Sequence, residues 1–243
     1  MKTAIGKRTL LGVLTPSSNT VLEPVTSSIL AQLDNVSAHF GRFRVKEISL
    51  DEHALEQFDI HPVLAAAQLL ADAKVESIIW SGTSAGWLGF DSDEKLCREI
   101  SKTTGIPAGS SVLALNETFA RNSVQRFALV TPYLHDVQEK IIANYARAGF
   151  ECVAERHTGD QDNFSFAGHS EQAIVEMVRE VATAKPDAIT IFCTNLRGAP
   201  VVARLEKELG IPIYDTVATG IWSGMKLAGD DPARISGWGS LFD

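Results

Sequence analysis

Among the residues of this chain able to do chemistry, Cys193 has the most telling position. It follows the apolar run Ala188-Ile189-Thr190-Ile191-Phe192 and opens the polar turn Cys193-Thr194-Asn195. A thiol at the end of a buried strand can give up a proton or attack carbon, according to whether its surroundings keep it as thiol or thiolate. An earlier run, Ser77-Ile78-Ile79-Trp80-Ser81, leads in the same way to Gly82-Thr83-Ser84, with hydroxyls where the later loop has sulfur. Loops beyond the carboxyl ends of strands meet helix N-termini, so the amides and hydroxyls gathered there suit an anion or a developing oxyanion. The other two cysteines read as core. Cys97 lies beside Leu96 and Ile100 on a helix face, and Cys152 falls within a short strand.

The elements needed to position such loops come in two rounds. β-rich apolar runs at 9–14, 42–48, 77–80 and 108–111 alternate with helical patterns at 20–33, 61–73, 91–103 and 112–122. The order then restarts, with strands at 126–130, 150–154, 188–192 and 213–214 and helices at 134–148, 169–184, 199–209 and 217–227. Alternation of this kind predicts mostly parallel sheets covered by helices on both faces. Three matches in the same order mark an internal repeat. Leu14-Thr15-Pro16 answers Val130-Thr131-Pro132, Ser77 to Ser84 answers Ala188 to Asn195, and Gly105-Ile106-Pro107 answers Gly210-Ile211-Pro212. The span from Pro16 to Gly82 is 66 residues, against 61 from Pro132 to Cys193. In this register Gly82 is the counterpart of Cys193, and Thr83 of Thr194. Halves related by a pseudo-twofold axis would bring the loops at Pro16, Gly82, Pro132 and Cys193 to a single cleft. The predicted fold is therefore α/β, two pseudo-symmetric Rossmann-like lobes, each a mostly parallel sheet flanked by helices. The first lobe comprises residues 1–120 plus 216–243, and the second 121–215.

Composition narrows the function. A net charge of -8, with Lys and Arg scattered, argues against a nucleic-acid partner. The apolar runs are too short to cross a bilayer, and the first eight residues lack the apolar core of a secretory signal. Three cysteines without a C-x-x-C pair fit a reducing cytoplasm. The six histidines show no H-x-x-x-H spacing, so no metal site is expected. Neither G-x-G-x-x-G nor a phosphate loop occurs, and no cofactor is implied. His135 and His169 read as helix-start or surface residues, and Asp91-Ser92-Asp93-Glu94 as a helix N-terminus complementing the dipole.

The repeat and its loops resemble the Asp/Glu racemase superfamily, in particular its maleate isomerase and arylmalonate decarboxylase branch. The segments that carry the resemblance are Pro16-Ser17-Ser18-Asn19-Thr20, Gly82-Thr83-Ser84, Thr131-Pro132-Tyr133, Asp162-Asn163, Cys193-Thr194 and the ending Gly237-Trp238-Gly239-Ser240-Leu241-Phe242. Racemases of the superfamily use two facing cysteines, one per half, and maleate isomerases use the first as a nucleophile. Here the first position is Gly82, which matches arylmalonate decarboxylase instead. The resemblance thus implies a cofactor-independent lyase. Thr83, Ser84 and Tyr133 would hold an enediolate, and Cys193, with a free-thiol pKa of about 8.5, would protonate it. It also implies substrate binding by Pro16, Ser17, Asn19, Gly82, Asn163 and Thr194. Asn19 and Asn163 resemble the carboxylate-binding asparagines of maleate isomerase, so the expected substrate is a small carboxylate or dicarboxylate. The family often forms homodimers.

Other readings compete with this one. The same resemblance allows maleate cis-trans isomerase-like or racemase activity on a small dicarboxylate. Gly82-Thr83-Ser84-Ala85-Gly86 matches G-x-S-x-G, the strand-to-helix turn that presents the nucleophile of serine hydrolases. Such an enzyme needs a later Asp or Glu and then a His, yet the last histidine, His169, leaves 74 residues to come. Trp87-Leu88-Gly89-Phe90 is also expected to delay the helix that should start at once. A non-catalytic carboxylate-binding module would account for the missing cysteine, but not for Thr83, Ser84, Tyr133 and Cys193 occurring together.

Overall fold

The computed structural model describes residues 8–51 and 59–243. The first seven residues, on which the secretory-signal reading largely rests, lie outside them. The first round of elements runs β1 (Thr9–Pro16), α1 (Leu22–Leu30), β2 (Val36–Phe43), α2 (Ile60–Asp72), β3 (Ser77–Trp80), α3 (Ala85–Leu88), α4 (Phe90–Thr104), β4 (Ala108–Ser110) and α5 (Ser111–Arg121). The second runs β5 (Arg126–Thr131), α6 (His135–Arg147), β6 (Glu151–His157), α7 (Glu171–Ala182), β7 (Ala188–Ile191), α8 (Ala199–Leu209), β8 (Ile213–Asp215) and α9 (Thr216–Leu227). Two four-stranded sheets result, ordered β2-β1-β3-β4 and β6-β5-β7-β8. Every pairing between these strands is parallel, and the two orders are the same, so the repeat seen in sequence is a repeat of topology.

The central strands are apolar on both faces because both faces are covered. Leu11, Leu14 and Ile78 in one sheet, and Phe127, Leu129, Ile189 and Ile191 in the other, are buried. The repeated Gly-Ile-Pro has a backbone cause. Gly105 (φ 73°) and Gly210 (φ 66°) end α4 and α8 in the left-handed conformation, which costs glycine least, and turn the chain into β4 and β8. Although α9 follows the last strand of the second sheet, it packs on the first. Ser77 Oγ donates to Gly224 O at 2.8 Å, and Thr219 Oγ1 donates to Ser111 O at 2.9 Å.

Two expectations need correction. The second strand, expected at 42–48, is Val36–Phe43, paired with β1 from Thr9↔Val36 to Pro16↔Phe43. As an edge strand it is half-exposed and mixes Ser37, His39 and Arg42 with its apolar residues, so it lacks a continuous apolar run. The apolar Val45 and Ile48 that suggested the later span serve another purpose, described below. The helix after Gly82-Thr83-Ser84 is not delayed either. It starts directly after Ser84, lasts four residues and stops at Gly89 (φ 104°), where α4 takes over.

Candidate active site

The carboxyl ends of β1, β3, β5 and β7 point toward one small pocket. Cys193, Thr194, Thr83, Ser84, Tyr133 and Asn163 supply its polar walls, and Pro16, Val45, Ile48, Trp80, Trp87 and Gly82 the rest. Its volume is about 20 Å³, room for one water-sized group. None of these wall residues is ionisable as an acid or base near neutrality, so a bound anion meets neutral donors and apolar carbon. Among the described residues the walls include no histidine beside Ser84.

Cys193 is 2% exposed. Burial pushes its thiol up to about 12, opposed by hydrogen bonding from the Tyr133 hydroxyl and the Asn195 and Leu196 N–H groups, while the Asp215 carboxyl adds to the rise. The Asn195 N–H lies 3.4 Å from the sulfur. Around neutrality the residue is therefore held as a thiol, by a wider margin than a free cysteine. Tyr133 and Thr83 share a hydrogen bond of 2.6 Å across the two lobes. Burial holds the Tyr133 phenol well above its ordinary value, so it stays neutral and able to donate. The Trp87 ring braces it edge-on at 5.3 Å.

The place of a first-lobe thiol is taken. A Cβ added to Gly82 would lie 2.0 Å from Trp80 Cζ2 and 2.3 Å from Cη2, inside any real contact distance. The indole, itself packed at 5.2 Å and a 48° tilt against Phe43, therefore favours glycine at position 82.

Not every expected binding residue reaches the pocket. Ser17 is exposed and its hydroxyl donates to Val45 O at 3.4 Å. Asn19 is buried but committed elsewhere. Its Oδ1 accepts the N–H groups of Val21 and Leu22, and its Nδ2 donates to Thr194 O and Oγ1 at 3.1 and 3.2 Å. It caps the first turn of α1 and joins the lobes. Asn163 does line the pocket, with Nδ2 donating to Ser18 Oγ at 2.7 Å. Asn195, which the sequence did not single out, is central to the seam. Its Oδ1 accepts from Thr20 N and Val21 N at 3.0 and 3.2 Å, and its Nδ2 donates to Asn163 O. Thr194 Oγ1 donates to Ser81 O at 3.3 Å. Only the loop Cys193-Thr194-Asn195 signalled this seam, and only as the counterpart of Gly82-Thr83-Ser84.

Several other titratable groups fall where their types predict, and two carboxyls, Asp93 and Asp215, do not. Cys97 is buried and Cys152 half-buried, both with thiols raised to about 12 by burial. His135 begins α6 and stacks on His157, and His169 caps a short 3-10 turn near Asp160. Asp93, expected on a solvated helix start, is 1% exposed, and burial raises its carboxyl to about 7, with Ser110 and Trp80 pulling it back. Among the described residues no group of three or more His, Cys, Asp or Glu could hold a metal ion, and no helix is long and apolar enough to cross a membrane.

Two duplicated α/β lobes that bring one thiol, two lobe-bridging hydroxyls and a set of neutral donors to a shared pocket define a class of carbon-acid enzymes. The comparisons with known proteins place the chain within it. A profile of the arylmalonate decarboxylase family matches residues 12–242, and the chain belongs to that family. It is 26% identical to a maleate isomerase of Nocardia farcinica over 95% of this chain and 94% of that protein. It is likewise 26% identical to the arylmalonate decarboxylase of Bordetella bronchiseptica over 76% and 78%. The fold superposes on a Nocardia farcinica maleate cis-trans isomerase mutant carrying a covalently bound succinylcysteine intermediate, with TM-score 0.88, 24% identity and 98% coverage of both chains. A liganded double mutant of arylmalonate decarboxylase gives TM-score 0.86 at 21% identity, covering 98% of this chain and 99% of the other.

Proposed function

We propose that the protein is a cofactor-independent decarboxylase of a malonate-type acid. The C–CO2 bond breaks with its electron pair retained on the α-carbon as an enediolate, and Cys193 delivers its S–H proton to that carbon. The observation that carries this reading is the single protonated thiol of Cys193, set in a pocket with the Thr83–Tyr133 hydroxyl pair and closed to a second thiol by Trp80. Donors near the enediolate oxygens lower the barrier by roughly 3–4 kcal/mol per well-placed group. Tyr133, Thr83 and Ser84 are the candidates, with Asn163 and Thr194 on the rim. Apolar walls at Val45, Ile48, Trp80 and Trp87 disfavour a charged carboxylate and favour its departure as neutral CO2. The thiolate left behind faces the Asn195 and Leu196 N–H groups and the Tyr133 hydroxyl, and regains its proton from water.

The relatives named maleate isomerase support a second reading, cis-trans isomerisation of a small dicarboxylate. Against it stand Gly82 and a Cys193 thiol too basic to supply a nucleophile, together with the diversion of Asn19 into the α1 cap. A panel of malonates, maleate and amino acids in D2O separates the readings. CO2 release with one deuterium incorporated, lost in Cys193→Ala, is the expected result. Turnover of maleate to fumarate without CO2 would replace the proposal by the isomerase reading. Ester hydrolysis lost in Ser84→Ala would move the chemistry to the serine, and tight binding of malonate without turnover would make the chain a binding module.

A further inference from the structure

The thiol pocket, with room for one water-sized group, leaves no space for the side arm of a carbon acid, yet a larger space adjoins it. A cavity of about 220 Å³ lies at the carboxyl end of the first sheet, between the N-terminal turns of α2 and α4. Trp80 and Ser84 are walls of both spaces. Phe43, Val63 and Leu96 make much of the cavity apolar, but Asp93 stands in its wall, as do Ser92 and the exposed Lys95, whose long side chain can turn its charge to solvent. One oxygen of that carboxyl, Oδ2, is fully buried and has no hydrogen-bond partner among the described residues. Trp80 Nε1 is likewise unpartnered; it steadies the charged carboxyl from nearby without completing a good hydrogen bond. A buried carboxyl oxygen left without a partner is costly unless something supplies one.

We propose that this cavity is the subsite for the non-reacting arm of the substrate, and that it takes an apolar group ending in a hydrogen-bond donor, an ammonium above all, which Asp93 receives. The assignment rests on the carbon-acid reading above for the word substrate, but not for the binding itself. It deepens that reading by naming what the α-carbon carries. The carboxylate retained as the enediolate sits among neutral donors beside Cys193, the arm passes the shared wall at Ser84, and its donor meets Asp93, the one acidic group among the described residues of the cavity wall. The volumes divide accordingly, a water-sized space for the chemistry and a space roughly ten times larger for recognition.

Isothermal titration calorimetry with benzylamine, and with benzyl methyl ether as a probe of similar shape lacking any donor, tests the site without turnover. Benzylamine is expected to bind the wild-type protein, and Asp93→Asn to weaken it by roughly 10- to 100-fold while leaving the ether unchanged, as loss of a charge-assisted hydrogen bond requires. Leu96→Trp, which fills the cavity from its half-buried rim, is expected to abolish binding of both probes, with an unchanged circular dichroism spectrum showing that the fold persists. Absence of benzylamine binding to wild type, or equal binding to Asp93→Asn, overturns the proposal. In turnover, Leu96→Trp should raise KM for a C2-aminoalkyl malonate by about tenfold and leave methylmalonate untouched. Probe binding without decarboxylation of any malonate would remove the carbon-acid reading and keep the cavity assignment. Decarboxylation without probe binding would do the reverse.

Discussion

The two lobes build the same strand-end turn and use it for opposite purposes. After β7, Ile191 and Phe192 lead to Cys193, whose sulfur faces Tyr133 and the Asn195 N–H. After β3, Trp80 and Ser81 lead to Gly82, and the indole of Trp80 fills the volume in which a matching side chain would stand. A second pair of equivalent positions is exchanged in the same spirit. Counting back from the capping glycines Gly105 and Gly210, Asp93 corresponds to Gly198, and counting forward, Ser110 corresponds to Asp215. In the first lobe the carboxyl comes from the helix and faces the strand-end serine. In the second it comes from the strand end, caps α9, and approaches Gly198 so closely that a Cβ there would lie 2.5 Å from its Oδ2. Each lobe therefore keeps one buried carboxyl behind its loop, both raised to about 7 by burial. Duplication fixed the scaffold, whereas packing within each copy decided which loop could hold a reactive atom.

The contrast is most severely tested at Cys193. Replacing it by alanine should cut turnover by about 10²- to 10⁴-fold, the range of a general acid, whereas at Gly82 there is no reactive side chain to lose. Tyr133→Phe should cost kcat about 10²-fold if its hydroxyl meets the enediolate, with KM little changed; steady-state kinetics separates the two. Alkylation gives a further difference. A thiol at about 12 is almost wholly protonated at pH 8, so Cys193 should react with iodoacetamide on the order of 10³-fold more slowly than a free cysteine, as mass spectrometry would show. Fast labelling would revive a nucleophilic role.

Stability measurements sharpen the comparison in the first lobe. The Asp93 carboxyl rises from its ordinary 3.8 to about 7 on folding. Between these values the folded state holds the extra proton, so the associated stability is complete below about pH 4 and lost as pH rises through 7. Asp93→Asn should accordingly raise Tm relative to wild type at pH 8, by up to about 4 kcal/mol of unfolding free energy, and change it little at pH 4. Gly82→Cys should destabilise by roughly 1–3 kcal/mol through overpacking against Trp80, whereas in a Trp80→Ala background, itself less stable than wild type, the same substitution should cost little. A Gly82→Cys protein with unchanged chemical denaturation would show that the indole moves freely, and the account of the missing thiol would fail.

Much of this was legible in the sequence, for reasons particular residues make plain. The repeat showed because backbone demands wrote it: Gly105 and Gly210 must turn left-handed, and the apolar strands must be covered on both sides. The gathering of Gly82, Thr83, Ser84, Cys193 and Thr194 followed from that register, whereas Tyr133 rested mainly on the family resemblance. What escaped depended on which partner a side chain finds in three dimensions. Nothing local to Asn19 says that its amide closes a helix turn and holds Thr194 instead of facing the pocket. Val45, Ile48, Trp80 and Trp87 look like ordinary core until the pocket they wall is seen. An aspartate in the first turn of a helix reads alike whether it faces water or the interior, so Asp93 passed as a dipole-complementing charge. The second strand was misplaced because an edge strand carries a mixed pattern that an apolar run imitates poorly.

The network that joins Asn19, Thr20 and Val21 to Thr194 and Asn195, and Asn163 to Ser18 and Asn195, includes two walls of the pocket, Asn163 and Thr194. Swinging the halves apart as rigid bodies would break all of the contacts that reach Ser18, Asn19, Thr20 and Val21 together, leaving only Asn163–Asn195, which lies within the second lobe. Admission of a molecule bigger than water should therefore proceed by brief, local loosening of one loop at a time, and the pace of that breathing, rather than bond cleavage, would set the ceiling on how fast the protein can work.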